Sequence, residues 1–143
     1  DSYDMVITRY ALHHFPVIDH TFKEIYRILK KGGTLFLSDP APNDNDMECF
    51  VDAYMQMKKD GHIRFYTQKE WQIIGKKAGL TYIDGFETSI RFPKKIHTAP
   101  EFNNLVKRFT DEILEGYHLE IIGDEIWITE KVNNMLFEKM SNA

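Results

Sequence analysis

A strand–helix–strand pattern near the start of the chain constrains its fold more than any other feature. The apolar pair Val6-Ile7, followed by the polar Thr8-Arg9, predicts a short strand of a covered sheet. From Ile18 onward apolar residues recur at helical spacing, and Lys30-Lys31-Gly32-Gly33 predicts a basic last turn closed by glycine. Residues 34–38 predict the next strand. Because a connection of this length forms a right-handed crossover, the two strands are expected to be parallel.

The rest of the chain predicts further helices and then antiparallel strands. The second strand is expected to end at Asp39, because the prolines that follow it cannot continue a central ladder. Thr67 and Glu70 have the capping-box spacing that starts a helix, and Thr98 and Glu101 repeat it. A Gly-Asp pair further on predicts a hairpin. The elements expected after residue 39 are helices over 43–59, 67–79 and 98–116 and strands over 80–92, 119–122, 125–129 and 135–138.

Composition excludes several classes of partner. With 43% hydrophobic residues, the 143-residue chain can bury the core of one globular domain. A net charge of −4 gives no electrostatic reason to bind nucleic acid or anionic lipid, and no apolar run reaches the ~20 residues of a membrane-spanning helix. Cys49 is the only cysteine, which excludes an intrachain disulfide. We therefore expect no nucleic-acid or membrane partner and a cytoplasmic location.

Two stretches carry a family resemblance: YDMVITRYALHHF over residues 3–15 and FKEIYRILKKGGTLFLSD over residues 22–39. They resemble the fourth strand, its helix and the fifth strand of class I methyltransferases of the ubiquinone/menaquinone-biosynthesis type. The resemblance implies an α/β fold, the C-terminal part of a Rossmann-like doubly wound sheet. The predicted hairpin adds an antiparallel C-terminal edge. The implied cofactor is S-adenosylmethionine, and the implied activity is methyl transfer to a small-molecule acceptor.

Members of this family also have three earlier strands, a glycine-rich turn after the first and an acidic residue that ends the second. No such glycine spacing occurs in this sequence. Residues 1–143 are therefore expected to be the C-terminal portion of a single methyltransferase domain, without the glycine loop, and to be inactive alone. The first strand then becomes a sheet edge, through which a homodimer is expected to form.

The residues that leave the first strand are the candidate cofactor contacts. In doubly wound sheets, ligands bind at the carboxyl ends of the strands. The resemblance implies that Thr8, Arg9, Tyr10 and Ala11 lie against the methionine part of the cofactor, with Ala11 small enough to allow close approach. The alternative is that Thr8 and Arg9 are only polar residues at a strand exit.

His13 and His14 follow directly. Adjacent histidines in extended backbone point apart, and no companion ligand stands at a suitable spacing, so no metal site is expected. A neutral imidazole can accept a proton from the acceptor, which makes His14 the candidate catalytic base and His13 a candidate substrate contact. The competing interpretation is that the pair only shapes the site through hydrogen bonds.

Three further residues are candidate substrate contacts. Asp39 ends the second strand at the same rim, where the resemblance places substrate-facing residues, although an Asp before proline also forms turns. Met55 and Tyr66 belong to an apolar group that is either a lid over the substrate or ordinary core. This group comprises Met47, Tyr54, Met55, Met57, Phe65 and Tyr66.

Three functions compete. A methyltransferase needs few catalytic residues because the methyl sulfonium is already reactive, and the protein mainly positions the acceptor and excludes water. The second interpretation is a non-catalytic fragment or interaction domain that dimerises through its exposed edge. A dinucleotide-dependent oxidoreductase shares the parallel pattern but requires its own glycine fingerprint, which this sequence lacks.

Overall fold

The chain folds around a mixed sheet in a computed structural model, which describes residues 1–95 and 99–141. The strands are β1 (Tyr3–Arg9), β2 (Leu29–Ala41), β3 (Thr81–Lys95), β4 (Glu120–Ile122) and β5 (Glu125–Glu138). The helices are α1 (Ile18–Ile28), α2 (Phe50–Gln56), α3 (Gln68–Ala78), α4 (Ala99–Val106) and α5 (Asp111–Gly116). The strand order is β1-β2-β5-β3, with β4 beside β5. This architecture confirms the α/β class with an antiparallel edge.

The parallel pair β1–β2, joined through α1, is the predicted crossover unit. Val6 pairs with Leu35 and Thr8 with Leu37. The helix ends one turn earlier than predicted, because Leu29 is extended and fully buried, so Lys30 and Lys31 belong to β2 and not to a last helical turn.

Lys139 provides the basic group at the end of α1 that we had assigned to the Lys pair. Its ammonium donates to the carbonyl oxygens of Tyr26 at 2.9 Å and Leu29 at 2.8 Å. A cation at this position satisfies helix carbonyls that have no intrahelical partner. The sequence could not predict it, since Lys139 lies 110 residues beyond Leu29.

The prediction that β2 stops at Asp39 is wrong. The strand continues through Ala41, and Pro40 pairs with Val132 of β5. The pairing with β1 ends at Ser38, so at Pro40 the strand has a neighbour on one side only. A proline at such a position removes no ladder hydrogen bond on the open side.

The strands predicted separately over residues 125–129 and 135–138 are one strand, β5. It pairs antiparallel with β2 from Thr34 to Ala41 and with β3 along nearly its whole length. Two long neighbours keep the 14 residues of β5 extended through its polar middle section. The hairpin between β4 and β5 is confirmed, with Gly123 at a positive φ of 63°.

The helix predicted over residues 43–59 is only seven residues long. Asp46 fixes its start: its buried carboxylate accepts from the N–H of Phe50 at 2.7 Å and of Val51 at 2.9 Å. The hydroxyl of Tyr117 also donates to Asp46, at 2.7 Å, and thereby ties this turn to the end of α5. Residues before Asp46 therefore form turns rather than helix.

The capping box of α3 is confirmed. Thr67 accepts from the N–H of Glu70, the Glu70 carboxylate accepts from the N–H of Thr67, and Gly79 ends the helix at a φ of 93°. The helix predicted over residues 98–116 is instead two helices, α4 and α5, because the backbone of Thr110 is extended and starts the second. The predicted cap Thr98 lies outside the described residues.

Apolar side chains form two buried clusters. The first packs α1 and α3 on the sheet, with the rings of Phe22 and Trp71 stacked 5.6 Å apart. The second packs α2, α4 and α5 against Ile126 and Ile128 of β5.

One face of β1 remains exposed. Tyr3, Met5 and Ile7 are 50 to 66% exposed, so the prediction of a buried strand is wrong for the described residues. The physical reason is position: β1 is the last strand of the sheet and pairs only with β2 among these residues.

Candidate functional site

A cavity of about 260 Å³ opens where β1 and β2 end. The segment after β1 and the end of β2 form one side, and α2 with the loop that follows it, β3 and β5 form the other. Because β1 and β2 are parallel, their carboxyl ends meet at one edge, which is where ligands bind in such sheets. The lining residues are Tyr10, His13, His14, Pro40, Met55, Lys58, Asp60, Phe65, Ile90, Phe92 and Glu130.

Tyr10 makes the turn from β1 into the cavity. Its φ is 50°, a left-handed conformation that non-glycine residues adopt at an energetic cost. Its N–H donates to the carbonyl of Ser38 at 2.8 Å, which holds the turn against β2. The turn sends the next residues into a short 3-10 helix (Leu12–His14) that presents both histidines to the cavity.

The four candidate cofactor residues lie consecutively at this strand exit, but they differ in position. Tyr10 lines the cavity, whereas Thr8 and Ala11 are half-buried beside it. Arg9 is exposed, with its guanidinium 4.5 Å from the centre of the Tyr10 ring.

His13 is held by Asp39. Its Nδ1 donates to the two carboxylate oxygens at 2.9 and 3.1 Å, and both side chains are buried. Burial raises the pKa of Asp39, although the hydrogen bond from His13 opposes that rise. The carboxylate therefore fixes the imidazole ring, and Asp39 contacts the cavity through His13 rather than directly.

His14 follows His13 on the same short 3-10 helix. Its Nδ1 is buried and has no hydrogen-bond partner among the residues that the structure describes. The ring centroid lies 4.1 Å from that of His13, so the two candidates share one wall of the cavity.

A second carboxylate–histidine pair lies behind this wall, and sequence reasoning missed it. Nε2 of His62 donates to Asp52 Oδ1 at 2.7 Å, and the same oxygen accepts from the N–H of Phe65. The rings of His62 and His13 are 5.4 Å apart. No local spacing signals this pair, because Asp52 lies on α2 and His62 in the loop that follows it.

The predicted apolar lid is divided between cavity and core. Met55 and Phe65 line the cavity. Tyr66 does not: it is buried in the first cluster, 4.4 Å from the ring of Trp71. Tyr54 is fully buried in the second cluster, and Met47 is 84% exposed.

Glu130 is the residue of the cavity that sequence reasoning overlooked most clearly. It is fully buried, and neither carboxylate oxygen has a hydrogen-bond partner among the described residues. Burial raises its pKa to about 8, with the charge of Lys94 acting in the opposite direction. The signal was present in the sequence: strand alternation places Glu130 on the same face as Ile126 and Ile128.

Residues 1–95 and 99–141 include no group of three or more His, Cys, Asp or Glu side chains arranged to hold a metal ion. Over the same residues, no helix combines the length and apolarity needed to span a membrane.

Comparison with known proteins identifies the family. Residues 1–84, more than half of the chain, match the family model described as a methyltransferase domain. The chain is 34% identical over 85 residues to the uncharacterized methyltransferase YcgJ of Bacillus subtilis; the match covers 59% of this chain and 34% of YcgJ. The chain thus spans about a third of the length of that relative.

Solved structures agree in fold. A putative methyltransferase from Bacillus halodurans superposes with a TM-score of 0.80 at 22% identity, over 98% of this chain and 65% of that one. A phosphoethanolamine N-methyltransferase of Haemonchus contortus was solved with phosphomonomethylethanolamine and S-adenosylhomocysteine. It superposes with a TM-score of 0.56 at 17% identity, over 97% of this chain and 34% of that one. The chain therefore belongs to the methyltransferase-domain family and has the fold of class I S-adenosylmethionine-dependent methyltransferases.

Proposed function

We propose that the protein containing these residues transfers a methyl group from S-adenosylmethionine to a small-molecule acceptor, and that the cavity is its acceptor pocket. The observation that carries the proposal is the position of the cavity at the carboxyl ends of the parallel pair β1–β2, in a chain of the methyltransferase-domain family. A structural neighbour solved with S-adenosylhomocysteine supports the choice of cofactor.

In this proposal the methionine part of the cofactor is held by Thr8, Arg9, Tyr10 and Ala11. Their fit is supported by the strained turn at Tyr10, which brings backbone groups of the strand exit to the cavity, and by the small side chain of Ala11. When bound, the cofactor supplies a methyl group already activated on a sulfonium. The chain has only to position the acceptor and exclude water.

His14 is the candidate base on the acceptor side, because its free Nδ1 can take a proton from the acceptor. His13, oriented by Asp39, contacts the acceptor from the same wall. Met55 and Phe65 supply the apolar surface that excludes water. Tyr66 packs in the first cluster against Trp71 and is not part of the proposed acceptor contacts.

The rest of the cofactor site, including a glycine-rich turn, is proposed to come from a segment outside these 143 residues. The proposal is supported by the match to YcgJ, which covers only 34% of that relative. On this proposal the 143 residues are the C-terminal portion of one domain and are inactive alone.

Ala11→Leu tests the cofactor contact in a version of the protein extended to the length of its relatives. The added side chain should weaken binding of S-adenosylhomocysteine at least tenfold by calorimetry, because it occupies the space that the cofactor approaches. Ser89→Leu, at an exposed position on β3, is the matched control and should bind normally. Equal affinity for both variants would place the cofactor elsewhere.

A non-catalytic role as an interaction domain is the second candidate. The exposed apolar face formed by Tyr3, Met5 and Ile7 favours it. A sheet edge with apolar side chains and unpaired backbone groups is a template for pairing with another chain.

A further inference from the structure

Glu130 occupies a position that the fold would ordinarily give to an apolar residue. On β5 it follows Ile126 and Ile128 on the face covered by the second cluster, and both isoleucines are fully buried. Its partner across the ladder is Ile90 of β3. A carboxyl group in such a row destabilises the fold unless something bonds to it.

Nothing in the described residues satisfies this carboxyl group. The ammonium of Lys94, whose charge lowers the pKa of Glu130, makes its hydrogen bond elsewhere: it donates to the carbonyl of Tyr54 at 2.9 Å and lies 4.7 Å from the centre of the Tyr54 ring. Both oxygens of Glu130 remain without partners while the residue lines the cavity.

The remainder of the lining is mostly aromatic and aliphatic. Tyr10, Phe65 and Phe92 contribute rings. The one cation in the lining, Lys58, pairs with Asp60 at 3.3 Å, so the two charges offset each other. Among the lining residues, the buried polar groups without a hydrogen-bond partner in the described part of the chain are therefore the carboxyl of Glu130 and Nδ1 of His14.

We propose that Glu130 is the residue that recognises the acceptor, and that the small molecule taken by this cavity carries a basic amine. The inference rests on the proposed function, since it names the substrate class of the same pocket. An ammonium group forms an ion pair with the carboxylate, and the aromatic lining favours a cation over a neutral group.

Other polar groups fit less well. A carboxylate or phosphate on the ligand cannot form an ion pair with Glu130, because both groups carry the same sign of charge when ionised. A hydroxyl can exchange hydrogen bonds with the carboxyl of Glu130 but carries no charge, whereas an ammonium supplies an ion pair and up to three donors. The chemistry of the lining therefore selects an amine attached to an apolar body.

The experiment titrates the protein with benzylamine, which joins an ammonium to a small ring, and with benzyl alcohol and benzoate as uncharged and anionic matches. Benzylamine should bind most tightly of the three. Glu130→Gln should lower the affinity for benzylamine at least tenfold and change the affinity for benzyl alcohol little. Glu125→Gln, at the other end of β5 and outside the cavity lining, is the matched control.

Proton release gives a second measurement that a merely structural role would not produce. Since burial raises the pKa of Glu130 to about 8, an ammonium that pairs with the carboxylate displaces a proton at pH 7, and calorimetry in two buffers should show proton release on binding of benzylamine. The pKa of Glu130 is also affected by the charges of Lys94, Asp39 and Asp52, and all three residues are retained in Glu130→Gln. The variant should release none.

Equal binding of benzylamine and benzyl alcohol, or unchanged benzylamine binding by Glu130→Gln, would overturn the inference. This failure can be distinguished from failure of the proposed function, because the proposed function is tested by binding of S-adenosylhomocysteine. Normal S-adenosylhomocysteine binding without amine preference would refute only the recognition role, and amine binding without S-adenosylhomocysteine binding would refute only the methyltransferase assignment.

Discussion

Asp39 and Glu130 are buried carboxyl groups beside the same cavity, but their surroundings differ. Asp39 accepts two hydrogen bonds from His13, so its role is to orient that ring. Glu130 has no partner among the described residues, and its carboxyl is left for a ligand. The contrast separates a residue that positions another side chain from one that can bind directly.

Glu130→Gln should change how stability depends on pH. The folded pKa of about 8 lies above the ordinary value of 4.5, so the folded chain holds this proton more tightly than the unfolded chain. The stability that Glu130 contributes is therefore full below pH 4.5 and is lost as pH rises through 8. Relative to the variant, the free energy of unfolding of the native chain should fall between pH 5 and 8 by a few kcal/mol, on the order expected for such a shift.

Urea unfolding at several pH values measures this difference, with Glu125→Gln as the control. If the free energies of unfolding of the native chain and of Glu130→Gln change in parallel from pH 5 to 8, the carboxyl of Glu130 is not buried in the folded chain as described.

Single residues were predictable to the extent that neighbours in sequence are neighbours in space. His13, His14 and Tyr10 line the cavity as their adjacency after β1 suggested. Glu130 continues the alternation of Ile126 and Ile128, but the predicted strand ended at residue 129, one position before it. His62 could not, because its place beside His13 depends on how the loop after α2 folds back.

At the scale of elements, Asp46 decides where α2 begins. Asp46→Ala removes the acceptor for two helix N–H groups and for the hydroxyl of Tyr117. The loss of a cap and of a buried hydrogen bond should lower the free energy of unfolding by about 3 kcal/mol. Asp44→Ala is the control: Asp44 is 96% exposed and forms an ion pair with Lys131 at the surface, so its loss should cost under ~1 kcal/mol.

Equal denaturation midpoints for Asp46→Ala and Asp44→Ala would mean that α2 begins for another reason. The comparison requires that the free energy of unfolding fall with urea concentration at the same slope in both variants. A difference between their midpoints then reports a difference in stability.

Element types were easier to predict than element ends. Helical spacing and the capping box identified α1 and α3, and the Gly-Asp turn identified the hairpin. The ends of α1, β2 and α2 depend on residues far away in sequence. Lys139 binds carbonyls at the end of α1, and the pairing of β2 with β1 stops at Ser38. The hydroxyl of Tyr117 donates to Asp46 at the start of α2. Local patterns contain no information about such partners.

For the whole molecule, the exposed face of β1 predicts self-association of the 143 residues. Sedimentation velocity should show a dimer fraction that rises with concentration, and Ile7→Lys should reduce it because a charge opposes pairing of the apolar edge. Ile73→Lys changes an exposed isoleucine on α3 and should leave the dimer intact. A monomer at the highest concentrations would exclude this interface.

Methyl transfer as proposed requires that these residues form the acceptor side of a methyltransferase whose cofactor site is completed by a segment outside them. The most direct measurement is calorimetric titration of S-adenosylhomocysteine into the 143 residues and, in parallel, into a version extended upstream to the length of its relatives. We predict binding by the extended version only. Binding by neither would contradict methyl transfer, and equal binding by both would contradict the placement of the cofactor site.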